Sequence, residues 1–325
     1  MQLARRAFLY AAAAAMALSA FSPIAEAETY PARPIRLIVP FGSSGATDIA
    51  ARLVGQWLSD RLGQQFIVEN RPGAGSNLGT EAVTRSAPDG YTLLLVGPPA
   101  AINATLYEKL SFNFLRDIAP IAGIVRFANV MVVNPSLPVT TVSELIAYAK
   151  THPGKINFAS TGLGSTPHVN GELFKMMAGV DMVHVPYRSA AAAITDLLSG
   201  QMQLYLGTAA TTVGYIKAGT LRALAVTTLA RSQILPGVPT VAESLPGFEA
   251  NAVYGLGAPV NTPAEIVAVL NKEVNAALAN PGMQARLTEL GGIPLPGSAA
   301  DYYNVIAEET QKWGKVVKFA GVKVD

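Results

Sequence analysis

What most narrows the fold of this chain is a recurring order of local patterns: a short apolar run, a turn rich in glycine and hydroxyls, then residues at helical spacing. Ile35-Arg36-Leu37-Ile38-Val39 reads as a buried strand, and residues 41–46 as a Gly/Ser turn. Thr47-Asp48 then open a stretch whose apolar members, Ile49, Leu53, Val54, Trp57, Leu58 and Leu62, recur at helical spacing and stop at Gly63. A strand at Phe66-Ile67-Val68, a turn at Arg71-Pro72-Gly73-Ala74-Gly75, a helix over 78–85 and a strand over 91–96 complete a βαβαβ order. Parallel neighbours need a crossover, usually helical, so this order predicts a sheet with helices on both faces.

The order restarts after Pro120. Strands over 130–133, 156–159, 182–185, 202–206 and 221–226 alternate with helices over 142–151, from Pro167, over 190–198 and over 211–217. Residues 235–247, rich in Pro and Gly, read as connecting chain. A last strand over 252–258 precedes helices over 263–279, 283–290 and 299–319. A chain of 325 residues suits two α/β lobes better than one core. The expected lobes are 28–128 with 253–325, and 129–252, with the chain crossing between them near 125–132 and 227–253. The uncharged stretch 197–216 is broken by Gly200, Gln201, Gln203, Gly207 and Gly214, so it predicts strand and turns, not a membrane span.

Residues 1–27 carry an export pattern. Arg5-Arg6 is a basic head, residues 7–20 an alanine-rich run without charge, and Ala25-Glu26-Ala27 a cleavage motif. The run is short of the ~20 residues that span a bilayer. Arg5-Arg6-Ala7-Phe8-Leu9 also resembles a twin-arginine signal, with Tyr10 in place of the usual Lys, so the general and twin-arginine routes both stand. Either route predicts a protein outside the cytoplasm, in the periplasm, with the leader removed after about Ala27.

Composition removes several function classes. A net charge of +2, from 24 basic and 22 acidic residues, is too small to drive nucleic-acid binding. With no cysteine, disulfides, thiolate metal sites and cysteine nucleophiles are excluded. His152, His168 and His184 leave little for a metal cluster. There is no phosphate-binding loop and no G-x-S-x-G elbow, and Asp48 and Glu81 have no evident histidine partner. Gly73-Ala74-Gly75-Ser76-Asn77-Leu78-Gly79 is one residue out of register with a dinucleotide fingerprint. No cofactor or metal is expected.

Two turns remain as candidate sites. Phe41, Ser43, Ser44, Gly45, Ala46, Thr47 and Asp48 lie between a strand end and a helix start. Small residues there let backbone N–H groups approach a ligand, and a helix start contributes about half a positive charge. Thr47 or Asp48 also suits a helix cap. Thr161, Gly162, Leu163, Gly164, Ser165, Thr166 and Pro167 repeat the design, with Pro167 at the first helical position. His168 either touches ligand or bonds the backbone of that turn. Tyr187, after a strand, reaches toward the same cleft, or is followed by a merely solvated Arg188. Ligands of open α/β sheets bind at the carboxyl ends of strands, so the two turns are expected to face one another.

Further motifs follow one another along the chain: Tyr30-Pro31-Ala32-Arg33-Pro34 with the first strand, Pro40-Phe41 and Thr47-Asp48; then Glu69-Asn70-Arg71-Pro72-Gly73 and Ala87-Pro88-Asp89-Gly90-Tyr91; then Thr166-Pro167-His168, Gly171-Glu172-Leu173-Phe174, His184-Val185-Pro186-Tyr187, Lys217-Ala218-Gly219, Leu221-Arg222-Ala223 and Val238-Pro239-Thr240. In these residues and their order the chain resembles the tripartite tricarboxylate transporter receptors, the Bug-type periplasmic binding proteins. The resemblance implies a two-lobed periplasmic binding protein fold of type II. Each lobe would be a mostly parallel sheet covered by helices, with the ligand cleft between them. It further implies that Pro98 and Pro99, after the third strand, and Gly207 and Thr208, after a later one, line the pocket. Three departures bear on which ligand fits: Ser44-Gly45 where the family often has Gly-Gly, Gly207-Thr208 where amino-acid binders carry Asp, and Pro98-Pro99 where small hydroxyl residues are usual. Volume freed at Gly207 would take a carbon skeleton or ring.

These readings lead to a solute receptor, not an enzyme. It would bind a small organic carboxylate, a dicarboxylate or an aromatic acid without an amino group, and pass it to integral-membrane permease subunits as a monomer. The alternatives are a ligand sensor partnering a periplasmic sensor kinase, and a secreted α/β enzyme.

Overall fold

The computed structural model describes residues 30–43 and 45–324. The expected leader, residues 1–27, and Ser44 lie outside the described residues. Contacts separate the segment ending at Ala32 from the body that begins at Arg33.

In β1 (Ile35–Val39) every residue but Arg36 is buried, the pattern of a strand covered on both faces. Gly45, in extended backbone, precedes α1 (Ala46–Leu62), and Gly63 at φ 73° ends it, its N–H on the Ser59 carbonyl. There follow β2 (Phe66–Asn70), a 3₁₀ turn at Ala74–Ser76, α2 (Asn77–Thr84) and β3 (Thr92–Val96). Next come α3 (Pro99–Leu106), the short α4 (Phe114–Asp117) and β4 (Ile118–Phe127). A second series holds β5 (Asn129–Val133), α5 (Val142–Thr151), β6 (Asn157–Ser160), α6 (Thr166–Ala178), β7 (Val183–Pro186), α7 (Ala190–Leu198), β8 (Leu204–Thr208), α8 (Ala209–Lys217) and β9 (Arg222–Val226). The chain finishes with β10 (Ala252–Pro259), α9 (Ala264–Ala279), α10 (Pro281–Glu289), β11 (Gly292–Pro294) and α11 (Ala299–Ala320).

Two sheets result, ordered β11-β4-β10-β3-β1-β2 and β7-β6-β8-β5-β9. The two-sheet α/β architecture is the expected one, but the sheets are mixed rather than mostly parallel. β1 pairs parallel with β2 and β3, and β6 with β7 and β8; every other pairing is antiparallel. The cause is the crossing itself. β4 runs through Ala128 straight into β5, which enters the second sheet between β8 and β9 with no helix before it. β10 returns between β3 and β4. A strand arriving without a crossover helix takes the antiparallel sense.

Asn129 and Thr227 tie the two connecting segments together. The Asn129 amide and the Thr227 hydroxyl both donate to the Ala250 carbonyl, at 2.7 and 2.8 Å, and the Thr227 hydroxyl accepts from the Asn129 N–H at 3.1 Å. Both side chains are fully buried, where such bonds are costly to leave unmade.

A third crossing was not legible in the sequence. Trp313, Val316 and Val317 of α11, with Ala101, Ile102 and Leu106 of α3, share one apolar cluster with Leu173 and Phe174 of α6 and Met131 of β5. Elements joined to the first sheet thus complete the core of the second. Among the described residues no helix is long and apolar enough to cross a membrane; the stretch 197–216 is the end of α7, β8 and most of α8.

Candidate functional site

A cavity of about 370 Å³ lies between the sheets. Segments following four strands meet there: Phe41 after β1, Pro98 and Pro99 after β3, Thr161 and Leu163 to Pro167 after β6, and Thr208 and Thr211 at and beyond the end of β8. This is the carboxyl-end crevice of α/β sheets. Among the described residues, none that lines it is charged.

The turn before α6 is held by its own backbone. Gly162 at φ 114° and Gly164 at φ 72° occupy conformations that L side chains rarely adopt. The Ser160 hydroxyl accepts from the Gly162 N–H at 3.1 Å, and the Ser165 hydroxyl donates to the Gly162 carbonyl at 2.7 Å. Ser165 is the N-cap of α6 yet its side chain makes no capping bond, because it turns back to Gly162. The turn is therefore rigid while the helix start stays open toward the cavity. A Cβ at Gly164 would lie 2.1 Å from Leu106 Cδ2 of α3, so glycine lets the two sides of the cleft touch.

Beneath this turn sits His168, 1% exposed, whose Nδ1 accepts from the Gly164 N–H at 3.0 Å. Its ring stacks on His184 at 4.0 Å, and His184 Nε2 meets the Ser160 hydroxyl at 2.6 Å. Burial, with the neighbouring His184 and Lys175 charges adding to it, pushes His168 down to about 3, and burial pushes His184 down to about 4. Both rings are neutral at ordinary pH, as an Nδ1 acceptor must be. Of the two readings for His168, the structure has it bonding backbone, and it does not line the cavity.

On the first sheet's side, Phe41 packs edge-on to Tyr254 at 5.8 Å, and Tyr254 edge-on to Phe127 at 5.6 Å. A Cβ at Gly97 would lie 2.7 Å from both Phe41 and Tyr254, so that glycine admits the ring pair. The Thr47 side chain hydrogen-bonds the Tyr254 phenol, whose pKa burial raises. The N-cap of α1 is Gly45, and Asp48 lies in the first turn of that helix. Asp48 is 3% exposed, ion-paired to Arg52 at 3.0 Å, and accepts from the Asn70 amide at 2.9 Å.

β8 supplies the far wall. Tyr205 and Gly207 are two apart on one strand and share a face. A Cβ at Gly207 would lie 2.0 Å from Tyr205 Cε1 and 2.5 Å from its hydroxyl. The volume expected to be free at Gly207 is thus filled by the chain's own phenol. Tyr205 is 1% exposed and lines the cavity; burial pushes its pKa up to about 12, against a hydrogen bond with the Thr211 side chain that lowers it.

Of the residues singled out in the sequence, the structure brings Phe41, Pro98, Pro99, Thr161, Leu163, Gly164, Ser165, Thr166 and Thr208 to the cavity wall. Ser43 and Gly45 are exposed and Ala46 and Thr47 half-buried, beside that wall. Asp48, Gly162 and Gly207 support it from behind. Tyr187 turns away, its hydroxyl donating to Asp196 at 2.6 Å.

Residues the sequence did not point to also line the cavity: Gly75, Ser76, Ile102, Asn103, Tyr205 and Tyr254 among them. One signal was present. Gly73-Ala74-Gly75-Ser76 looked like an imperfect nucleotide motif, yet Ala74 at φ 46° and Ser76 at φ 77° are non-glycine residues in left-handed backbone, a strain that gathers at binding sites. The Asn103 amide holds this turn through the Gly75 carbonyl and Asn77, both at 2.8 Å. Among the described residues no three His, Asp or Glu converge as a metal site.

A sequence profile described as "Tripartite tricarboxylate transporter family receptor" matches residues 50–322. The chain is 37% identical to Protein BugT of Bordetella pertussis over 301 residues, 92% of each chain. Among solved structures it is similar to Rpa4515 of R. palustris with adipate, at TM-score 0.80 and 38% identity, covering 90% of this chain and 99% of that one. It is also similar to MatC (Rpa3494) from Rhodopseudomonas palustris with bound malate, at TM-score 0.76 and 31% identity, covering 89% and 100%.

Proposed function

The chain belongs to the tripartite tricarboxylate transporter receptor family, a family of solute-binding proteins rather than enzymes, and on that premise we propose that it is a periplasmic receptor for a small organic diacid, which it delivers to integral-membrane permease subunits. The lobes 28–128 with 253–325, and 129–252, close on the ligand. Residues 1–27 direct export and are removed.

One observation carries this reading: an interlobe cavity of about 370 Å³ with hydroxyls and backbone at its wall and no charged residue among the described ones. A carboxylate is held there by N–H groups at the starts of α6 and α1, by the Thr166 hydroxyl, and by the field of two helix ends. An ammonium group would enter without an acidic partner, since Asp48 is engaged by Arg52 and Asn70; burying that charge unpaired is costly. Relatives solved with adipate and malate agree with an amine-free acid.

A thermal-shift screen against mono-, di- and tricarboxylates and acidic amino acids tests the proposal. Diacids should raise the melting point by several degrees, as ligand bound to the folded state does. A shift with aspartate or glutamate alone would overturn the amine-free reading, and no shift with any acid would overturn the carboxylate reading.

A further inference from the structure

Tyr205 is one of the cavity residues that the sequence did not point to, and its position depends on one neighbour. Any side chain at Gly207 would meet the ring, with Cβ 2.3 Å from Cζ and 2.5 Å from the hydroxyl. Glycine at 207 therefore permits the arrangement in which the phenol lies along β8 at the cleft wall. Beside it, α8 starts at Ala209 with Thr208 at its N-cap and no side-chain capping bond. The Thr211 hydroxyl donates to the Thr208 carbonyl at 2.8 Å. The same Thr211 side chain hydrogen-bonds the Tyr205 phenol, so the phenol and the helix start lie side by side at this end of the cleft.

We propose that Tyr205, seated over Gly207, determines the ligand class: its ring closes the β8 end of the cleft, and its hydroxyl donates to the second carboxylate of an unbranched diacid. This inference rests on the proposed diacid reading and goes a step further, since it names the group that recognises the second carboxylate. The chemistry is directional. A phenol O–H gives a short, strong bond to a carboxylate oxygen, a better acceptor than the Thr211 hydroxyl it replaces. The first turn of α8 adds favourable potential for a second negative charge. A ligand ending in a methyl group leaves the phenol with Thr211. A ligand ending in an ammonium finds donors and a helix start of the wrong sign, with no carboxylate at the described wall.

The test is calorimetry on the full mature chain with unbranched diacids from succinate to suberate, each against the monoacid of the same length and, at the best length, the ω-amino acid. Wild-type protein should prefer the diacid to the monoacid by about tenfold or more. In Tyr205→Phe, isosteric and expected to fold, that ratio should fall to about threefold or less, with monoacid affinity changed less than about twofold. Gly207→Ala, which displaces the ring without removing it, should lower the same ratio. A ratio unchanged in Tyr205→Phe, or already near one in wild type, overturns the role of Tyr205 and leaves the carboxylate reading standing. An ω-amino acid bound as tightly as the diacid also overturns it. No binding of any acid overturns the carboxylate reading itself, and the two failures are told apart by the wild-type titrations.

Discussion

Gly164→Ala tests whether contact across the cleft is part of ligand binding. Two costs arise, and they differ in when they act. At φ 72° an alanine is strained by about 1–2 kcal/mol wherever the lobes stand. Its Cβ would also lie 2.1 Å from Leu106 Cδ2. Leu106 is 1% exposed, packed in the cluster it shares with α6, and lines the cavity, so the space it could swing into is the space the ligand takes. Overpacking of that kind costs about 1–3 kcal/mol, and only while α3 lies against the turn before α6. The proposed closure around ligand would need that apposition, so the second cost should appear as weaker binding, roughly 5- to 150-fold. Calorimetry and urea denaturation on Gly164→Ala, Leu106→Ala and the double variant separate the costs. The double variant should recover most of the lost affinity while keeping the backbone strain in its stability. A folded Gly164→Ala protein that binds as wild type does, or a double variant that recovers nothing, would refute the reasoning.

Stability should also fall on acidification. The His168 pKa is pushed down to about 3 by burial, so between its unfolded value near 6.5 and 3 the unfolded chain binds the extra proton. The contribution is whole above pH 6.5, is lost as pH falls toward 3, and loses no more below that. The slope is up to about 1.4 kcal/mol per pH unit; His168→Gln should reduce the slope of stability against pH by about one proton, and an unchanged slope would contradict the burial argument. Gly45→Val adds a side chain where a Cβ meets nothing within 4 Å, so stability should change little while affinity drops about tenfold; Gly162→Val, at φ 114°, should lose both. Unchanged affinity in both variants would remove the backbone cradle. Small-angle scattering should report a smaller radius at saturating ligand, and identical profiles with and without it would mean a cleft that does not close.

Much of the fold was written in period and turn chemistry. The helix expected over 190–198 is α7, Ala190–Leu198, residue for residue, because Ser189 caps a clean apolar pattern. The ten-residue β4 was missed, since Pro120, Gly123 and Arg126 interrupt its apolar run. Its glycine reflects a tertiary demand instead: a Cβ at Gly123 would lie 2.7 Å from Leu295. No helix was expected after the third strand, whereas Pro98 and Pro99 open α3, where a missing N–H costs nothing. The cavity was only half legible for a related reason. Glycine-rich turns announce themselves locally, but Gly207 gave the impression of free space because its occupant, Tyr205, is fixed by packing. Asp48 was legible as an acid at a helix start, but Arg52 and Asn70, which also engage it, lie a turn and a strand away.

The most direct measurement is a crystal structure of the mature chain with the diacid that binds it best. One carboxylate should lie between the lobes, with oxygens about 2.7–3.2 Å from backbone N–H groups of the turn before α6, and no Lys or Arg in contact. An acid seated instead in the outer groove of about 320 Å³ beside Glu108 and Arg116, or held in the cleft by a cationic side chain, would contradict the claim that backbone and hydroxyls alone bind the ligand.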